Sequence, residues 1–141
     1  MRHAEILIVE DNPGDVRLTR EAFKAVGTDV SFSVVENGVA ALAFLHRRGR
    51  YADAPCPHLV LLDLNMNGAS GWDVLRDIKA DCALKRIPVI VLSGSRDSED
   101  VQRAYGLYAN CYIAKPDDFD GYVTLARWLD AFWRLTADLS N

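Results

Sequence analysis

The chain has 141 residues, of which 50% are hydrophobic, and a formal net charge of −4 at pH 7. This length predicts one domain with a core of its own, and the acidic balance argues against binding to nucleic acid or to an anionic membrane surface. The N-terminus has no signal-peptide pattern and no apolar run approaches the roughly 18 residues of a membrane span, so we expect a cytoplasmic protein.

The first half of the chain begins with two strand-then-helix patterns. Residues 6–9 are a continuous apolar run, and the helix that follows has Asn12 as a candidate N-cap and Pro13 at its first position. Residues 30–35 alternate apolar and polar side chains, which predicts a half-exposed strand. Asn37 can cap the helix after this second strand.

Two further strand-then-helix patterns follow. Residues 58–62 and 87–92 are apolar runs rich in branched residues, which is typical of strands covered on both faces. The third helix is predicted to begin near Ser70, and the fourth at Asp97 or Ser98.

The last pattern comprises residues 110–114, a mixed segment that resembles an edge strand, and a helix from about Asp118 to the last residues. Five βα units predict an α/β fold with one parallel sheet and helices on both faces. With the second and fifth strands at the edges, the strand order is 2-1-3-4-5, the flavodoxin-like arrangement. Ligands of such sheets bind outside the carboxyl ends of the strands, where strands 1 and 3 are neighbours.

Five polar side chains come directly after strands 1, 3, 4 and 5. Glu10 and Asp11 come after strand 1, Asp63 after strand 3, Ser93 after strand 4 and Lys115 after strand 5. All five are therefore expected on one rim of the sheet. Three adjacent carboxylates repel one another, and Mg²⁺, which prefers oxygen ligands, would relieve that repulsion. An aspartate beside a metal, a hydroxyl and an ammonium is equipped to attack phosphorus and carry a phosphoryl group.

These residues lie in four motifs: VEDN (9–12), LLDLNM (61–66), VLSGS (91–95) and YIAKP (112–116). With them the chain resembles the receiver domains of bacterial response regulators, the chemotaxis-type phosphoacceptor modules. The resemblance covers nearly the whole chain, so we expect a single receiver domain over 1–141, without an output domain.

Two longer segments narrow the resemblance. EDNPGDVRLTREAF (10–23) and AYGLYANCYIAKP (104–116), followed by a late FW, are similar to the stand-alone regulators that are paired with bacterial phytochromes. This likeness implies a two-component phosphorelay in which a sensor histidine kinase, a phytochrome among the candidates, phosphorylates the chain. It also implies that the chain catalyses only its own phosphorylation and dephosphorylation, and is not an enzyme acting on other substrates.

The resemblance implies a role for each residue of the rim. Asp63 would be the phosphoacceptor. Mg²⁺ would be bound by Asp11, by Asp63 and by the backbone carbonyl of Asn65, with Glu10 acting through a metal-bound water. The phosphoryl group would be contacted by two further side chains, Ser93 and Lys115.

Three further expectations concern the neighbourhood of this site. Ser93 and Tyr112 would form the switch that passes the signal to the surface of helix 4, strand 5 and helix 5. The Lys115–Pro116 bond would be cis, as it is in the family. The family usually has proline four residues after the phosphoacceptor and glycine eight after it; Gly71 fits the second place, whereas Asn67 stands at the first.

The apolar positions of the fifth helix span roughly 240° of its circumference, more than one buried face needs. One stripe comprises Tyr122, Ala126, Leu129 and Trp133. We predict that the second stripe forms a homodimer interface, unless the chain end folds back over it; its members are Leu125, Trp128, Phe132 and Leu135.

Two other functions compete with phosphorylation-dependent signalling. Phosphatases of the haloacid-dehalogenase type have a second aspartate two residues after the nucleophile, as the general acid, and here that position is Asn65. Receiver-like binding modules that take no phosphate typically lack one of the acids or the lysine, and this chain has all of them.

Overall fold

The computed structural model describes residues 3–66 and 71–139, with side chains of the last helix as far as Phe132. Within these ranges five parallel strands form one sheet in the order β2-β1-β3-β4-β5, which confirms the predicted topology. The strands are β1 (Ala4–Val9), β2 (Val30–Val35), β3 (Leu59–Leu62), β4 (Val89–Ser93) and β5 (Cys111–Ala114).

A helix follows each strand, and a short 3₁₀ turn that the sequence did not predict lies at Gly49–Tyr51. Ser70, the predicted start of the third helix, lies outside the described residues. The helices are α1 (Pro13–Val26), α2 (Gly38–Leu45), α3 (Gly71–Ala80), α4 (Ser98–Gly106) and α5 (Phe119–Leu139).

The predicted helix caps are present. The Asn12 side chain accepts hydrogen bonds from two backbone amides of α1, and Pro13 occupies the first helical position. The side chains of Asn37 and Asp97 accept from the first turns of α2 and α4 in the same way. α1 ends at Gly27, whose φ of 83° lies in the left-handed region that glycine adopts without strain.

The sheet separates two hydrophobic layers. Side chains alternate along the strands, so that Leu7 and Val9 face the layer under α2, α3 and α4, whereas Ile6 and Ile8 face the layer under α1 and α5. Every residue of β5 is only half-buried, as expected of an edge strand. The central strands β1, β3 and β4 are covered on both faces, which fixes where their carboxyl ends point.

The predicted dimer stripe on α5 is corrected at one position. Leu125 is only 6% exposed and packs in the layer shared with α1, so it does not belong to a free surface. α5 contacts α1 and shares a hydrophobic layer with the sheet, and this second neighbour widens the buried arc of the helix. Phe132 is half-buried in the same layer, Trp128 is 44% exposed, and the side chain of Leu135 lies outside the described part.

The expectation of a cis bond before Pro116 is wrong for this structure, since no peptide bond of the described residues is cis. The trans isomer of an X-Pro bond is favoured by about 0.5–1 kcal/mol, so cis needs specific support from its surroundings. Here the Pro116 ring lies against the start of α5. A Cβ at Gly121 would come within 2.6 Å of the Pro116 Cβ.

Helices α3 and α4 are joined at the surface by a cation–π contact. The guanidinium carbon of Arg103 lies 4.2 Å from the centroid of the Trp72 ring, which itself packs against the core. In the part of the chain that is described, no helix combines the length and the apolar character that crossing a bilayer would require.

Candidate functional site

Three carboxylates meet at the carboxyl edge of the sheet, as the sequence predicted. Glu10 and Asp11 follow β1 and Asp63 follows its neighbour β3, where the amide of Asp63 donates to the carbonyl of Val9 over 3.0 Å. One ligand atom from each acid lies within 4.8 Å of the other two. Glu10 and Asp63 are 6% and 4% exposed and Asp11 is half-buried, so the cluster is largely shielded from water.

The ammonium of Lys115 reaches into this cluster from the end of β5. Its Nζ lies 3.0 Å from a carboxylate oxygen of Glu10 and 3.5 Å from one of Asp63. Its shortest contact, 2.7 Å, is to Oδ2 of Asp15. Burial opposes the charge of this ammonium, but hydrogen bonds to Asp15 and Glu10 outweigh it and raise the pKa of Lys115.

Asp15 was not among the site residues predicted from the sequence. A signal for it exists, because Asp15 lies four residues after Asp11 in the first turn of α1 and so near the same rim. A carboxylate in the first turn is also favoured by the helix dipole, and this ordinary role concealed the contact with Lys115.

Carboxylates are concentrated around this rim. The carboxylates of Glu10, Asp15 and Asp63 each lie within 3.5 Å of the ammonium of Lys115, and Asp11 lies beside Glu10 and Asp63. Burial raises the pKa of Glu10 to about 7, against the opposing attraction of Lys115. Neighbouring carboxylate oxygens that are largely buried fit a hard divalent cation, which takes oxygen ligands and offsets their repulsion.

Ser93 connects to Asp63 through Asn65. The Oγ of Ser93, which is 1% exposed, accepts a hydrogen bond from Nδ2 of Asn65 over 3.2 Å. The backbone amide of Asn65 donates to Oδ1 of Asp63 over 3.1 Å. Asn65 thus links the hydroxyl of Ser93, at the end of β4, to the carboxylate of Asp63, at the end of β3.

Tyr112 contacts the loop between β4 and α4. Its hydroxyl donates to the carbonyl of Ser95 over 2.8 Å, and its amide donates to the hydroxyl of Tyr105 over 3.1 Å. Ser95 continues the path, because its amide donates to Oγ of Ser93 and its hydroxyl donates to a carboxylate oxygen of Asp100 in α4. Both predicted switch residues therefore meet at Ser95.

Gly71 lets α3 begin directly against the phosphoacceptor candidate. A Cβ at this position would clash with the backbone carbonyl oxygen of Asp63 and come within 2.6 Å of the Leu64 Cα. Because backbone atoms cannot move aside easily, the close approach requires glycine. Asn67, the departure noted in the sequence, lies outside the described residues.

Comparison with known proteins agrees with this geometry. Residues 6–126 match the family profile of the response regulator receiver domain. The chain is 40% identical over 134 residues to the response regulator Rcp1 of Synechocystis sp., covering 95% of this chain and 91% of Rcp1.

Two solved structures are similar over nearly the whole chain. The Mn(2+)-bound form of response regulator Rcp1 has 39% sequence identity and a TM-score of 0.85, covering 92% of this chain and 94% of that one. The phosphorylated cyanobacterial phytochrome response regulator RcpA has 40% identity and a TM-score of 0.89, covering 96% of each chain. With the rim of acids, hydroxyl and ammonium in place, the chain belongs to the response regulator receiver family and is similar to its phytochrome response regulators.

Proposed function

We propose that Asp63 accepts a phosphoryl group from a sensor histidine kinase and that Mg²⁺ is bound beside it. The observation that carries the proposal is the convergence of Glu10, Asp11 and Asp63 with the ammonium of Lys115 at the carboxyl edge of the sheet. Phosphoryl transfer depends on positioning and on charge stabilisation, and this arrangement supplies both.

In the transfer, a carboxylate oxygen of Asp63 attacks the phosphorus of a phosphohistidine. A P–O bond forms while the P–N bond breaks, and the imidazole leaves with the electron pair of that bond. Lys115 offsets the charge of the phosphoryl oxygens, and the hydroxyl of Ser93 donates a hydrogen bond to one of them. Attack of water on the phosphorus releases phosphate and restores the carboxylate, so the chain returns to its starting state.

The proposed ligands of Mg²⁺ are Asp11, Asp63 and the backbone carbonyl of Asn65, with Glu10 acting through a bound water. When bound, the ion would polarise the phosphoryl oxygens as a Lewis acid. Support comes from the donor set, which is oxygen only, and from the relative Rcp1, whose solved form is described as Mn(2+)-bound.

The proposed kinase is a phytochrome or another sensor with a phosphohistidine. The proposal rests on the similarity to Rcp1 and to the phytochrome regulator RcpA, each at about 40% identity over more than nine tenths of the chain. The expectations that the chain acts in the cytoplasm and without an output domain stay predictions.

The proposed output is the surface formed by α4, β5 and α5, switched through Ser93 and Tyr112. Trp128 supports a homodimer contact on this surface, because its ring is 44% exposed and stacks on Phe132 with a centroid distance of 5.7 Å. Leu125, which is buried, takes no part in the proposed interface.

The decisive experiment is incubation with Mg²⁺ and acetyl phosphate, followed by electrophoresis that separates phosphorylated from unphosphorylated chain. We expect the wild type to become phosphorylated and Asp63→Asn to stay unphosphorylated. The control Asp53→Asn, which removes an exposed acid elsewhere, should be phosphorylated like the wild type. EDTA should abolish the labelling. Labelling of Asp63→Asn at the wild-type level, or a wild type that stays unlabelled, would overturn the proposal.

A further inference from the structure

Five exposed cations lie at the end of the molecule opposite the acidic rim. Three follow α2 and two precede β4, in segments that lead the chain back to the amino edge of the parallel sheet. The proposed function uses none of them. We call this set the basic patch; its members are Arg47, Arg48, Arg50, Lys85 and Arg86.

The two runs of cations are neighbours in space. Nε2 of His46, which precedes the first run, lies 3.7 Å from Oδ2 of Asp81. The carbonyl of Asp81 accepts a hydrogen bond from the amide of Lys85, in the second run, over 2.8 Å. The Asp81 carboxylate also accepts from the amides of Ala83 and Leu84. Asp81 therefore connects the two runs, and its carboxylate is directed at groups of the protein itself.

The charge of the basic patch is not neutralised by the chain. Across residues 3–66 and 71–132, none of the five side chains forms an ion pair with a carboxylate. Besides Asp81, segments 46–54 and 81–87 contain one acid, the exposed Asp53. The net charge is −4 with the five patch cations included, so the rest of the chain carries −9. The molecule thus has a positive end although it is acidic as a whole.

The backbone at Arg47 disfavours an arginine. Its φ of 54° lies in the left-handed region, at the position directly after the cap of α2 where glycine or asparagine is usual. Two hydrogen bonds fix this conformation: the amide of Arg47 donates to the carbonyl of Phe44 over 3.1 Å, and the amide of Arg48 to that of Ala43 over 2.9 Å. Within the described residues the Arg47 guanidinium makes no hydrogen bond or ion pair that would offset the strain. Its benefit is therefore expected outside the chain.

Arg50 is held in a fixed position. Its Nη2 donates to the hydroxyl of Tyr51 over 2.7 Å, and its guanidinium carbon lies 4.9 Å from the centroid of that ring. The Tyr51 ring packs on Phe44, a core residue, with a centroid distance of 5.4 Å. The remaining donors of the Arg50 guanidinium can bind a carboxylate with little further loss of side-chain freedom.

The size of the basic patch determines which anion fits it. Its potential extends over about one Debye length, roughly 8 Å at physiological salt. Nucleic acid or a bilayer extends well beyond that distance and would meet the negative remainder of the surface. An extended acidic peptide segment stays within it, and its carboxylates match the planar guanidinium groups in bidentate geometry.

We propose that the basic patch binds an acidic segment of a partner protein. The site lies at the opposite edge of the sheet from Asp63 and on other elements than the α4, β5 and α5 surface. A partner can therefore stay bound while the phosphoacceptor is occupied and released. The inference goes beyond the proposed function and does not depend on phosphorylation of Asp63.

The test measures binding of the full chain to a fluorescein-labelled peptide of alternating glutamate and serine, by fluorescence anisotropy. The wild type should bind the peptide, and more weakly as salt rises. Arg47→Gln combined with Arg48→Gln should weaken the affinity by roughly 3- to 10-fold. The control combines Arg17→Gln with Arg127→Gln, which removes two exposed arginines from α1 and α5 on the other face of the sheet and should leave the affinity unchanged.

Arg47→Gly separates binding from folding. Glycine adopts the left-handed conformation without strain, so the urea midpoint should rise while the affinity for the peptide falls. A wild type that does not bind the peptide, equal weakening in the two double variants, or an unchanged affinity in Arg47→Gly would overturn the inference. Binding of duplex DNA or of phosphatidylserine vesicles that depends on the basic patch and exceeds peptide binding would overturn the choice of a protein segment.

Discussion

The hydroxyl of Tyr112 donates a hydrogen bond to the backbone carbonyl of Ser95 over 2.8 Å. This bond ties the edge strand β5 to the loop that carries the chain from Ser93 into α4. We predict that Tyr112→Phe is still phosphorylated, because the ring remains in place. The response of the loop to phosphorylation should be much weaker, because the hydrogen bond to Ser95 is removed. The response is measured as the change in amide hydrogen exchange of residues 94–97 when beryllofluoride, an aspartyl-phosphate mimic, is added.

In the wild type, beryllofluoride should alter the hydrogen-exchange rates of residues 94–97. In Tyr112→Phe the loop should exchange faster from the start, and the change should be less than half as large. Tyr108→Phe is the matched control, since Tyr108 is 76% exposed. An equal response in wild type and Tyr112→Phe would refute the coupling role of the hydroxyl.

Gly71→Ala should destabilise the fold by about 1–3 kcal/mol, because the new methyl group meets backbone atoms of Asp63 and Leu64. Gly106→Ala, in α4, is the control: a Cβ there meets no atom within 4 Å, so its effect should be neutral or slightly stabilising. Urea unfolding of both variants tests the difference, and the two having equal midpoints would contradict the close-approach argument.

The side chain of Lys79 connects the end of α3 to the segment before β4 through hydrogen bonds. Its ammonium donates to the carbonyls of Lys85 and Ile87 and to the side chain of Asn110, at 2.9–3.2 Å. Burial lowers the pKa of Lys79, and the three hydrogen bonds compensate the partly buried ammonium for lost water. Lys79→Met should cost about 1–3 kcal/mol of unfolding free energy, whereas Lys85→Met, an exposed control, should cost little.

Glu10 gives the metal-free protein a pH-dependent stability. Its pKa is about 7 in the folded protein, against 4.5 for a glutamate in water, so the folded state binds the proton more tightly than the unfolded state. The carboxyl therefore contributes most stability below pH 4.5 and loses that contribution as pH rises to about 7. In EDTA, the unfolding free energy of Glu10→Gln relative to that of the wild type should rise by on the order of 2 kcal/mol between pH 5 and pH 7.5.

Chemical unfolding at intervals across this pH range measures the gain. The comparison uses the slope against pH, so a constant loss from the missing contact with Lys115 does not affect it. Unfolding free energies that stay parallel for wild type and Glu10→Gln would show that burial of this carboxylate has no cost.

The exposed ring of Trp128 predicts the oligomeric state. Trp128→Ser should shift the protein from dimer to monomer in sedimentation velocity at tens of micromolar, with beryllofluoride present. Val39→Ser, which removes a side chain that is 70% exposed on α2, should leave the state unchanged. A wild type that sediments as a monomer with and without the mimic would refute the homodimer.

Local sequence was enough to predict the sheet. Strand order followed from which apolar runs were continuous and which were mixed, and the rim followed from the polar residues after each run. The caps at Asn12 and Asn37 were predicted because an N-cap depends on residues a few positions away. The prediction of a cis bond before Pro116 was wrong. A small energy difference separates the two isomers, and tertiary contacts decide between them.

Other features depend on residues distant in the chain. Asp15 and Lys115 are 100 residues apart, and no local pattern reports that their side chains meet. Helical periodicity places Leu125 on a free surface, because it gives the width of an apolar arc but not the number of neighbouring elements that cover it. Only the packing of α5 against α1 decides that this leucine is covered.

The contact between Arg103 and Trp72 gives the chain a natural optical probe. Indole emission responds to nearby charge and polarity, and the guanidinium above this ring is carried by α4. A displacement of α4 would move that charge and alter the fluorescence of a residue in the first turn of α3. The signalling state could then be followed in real time without an attached dye.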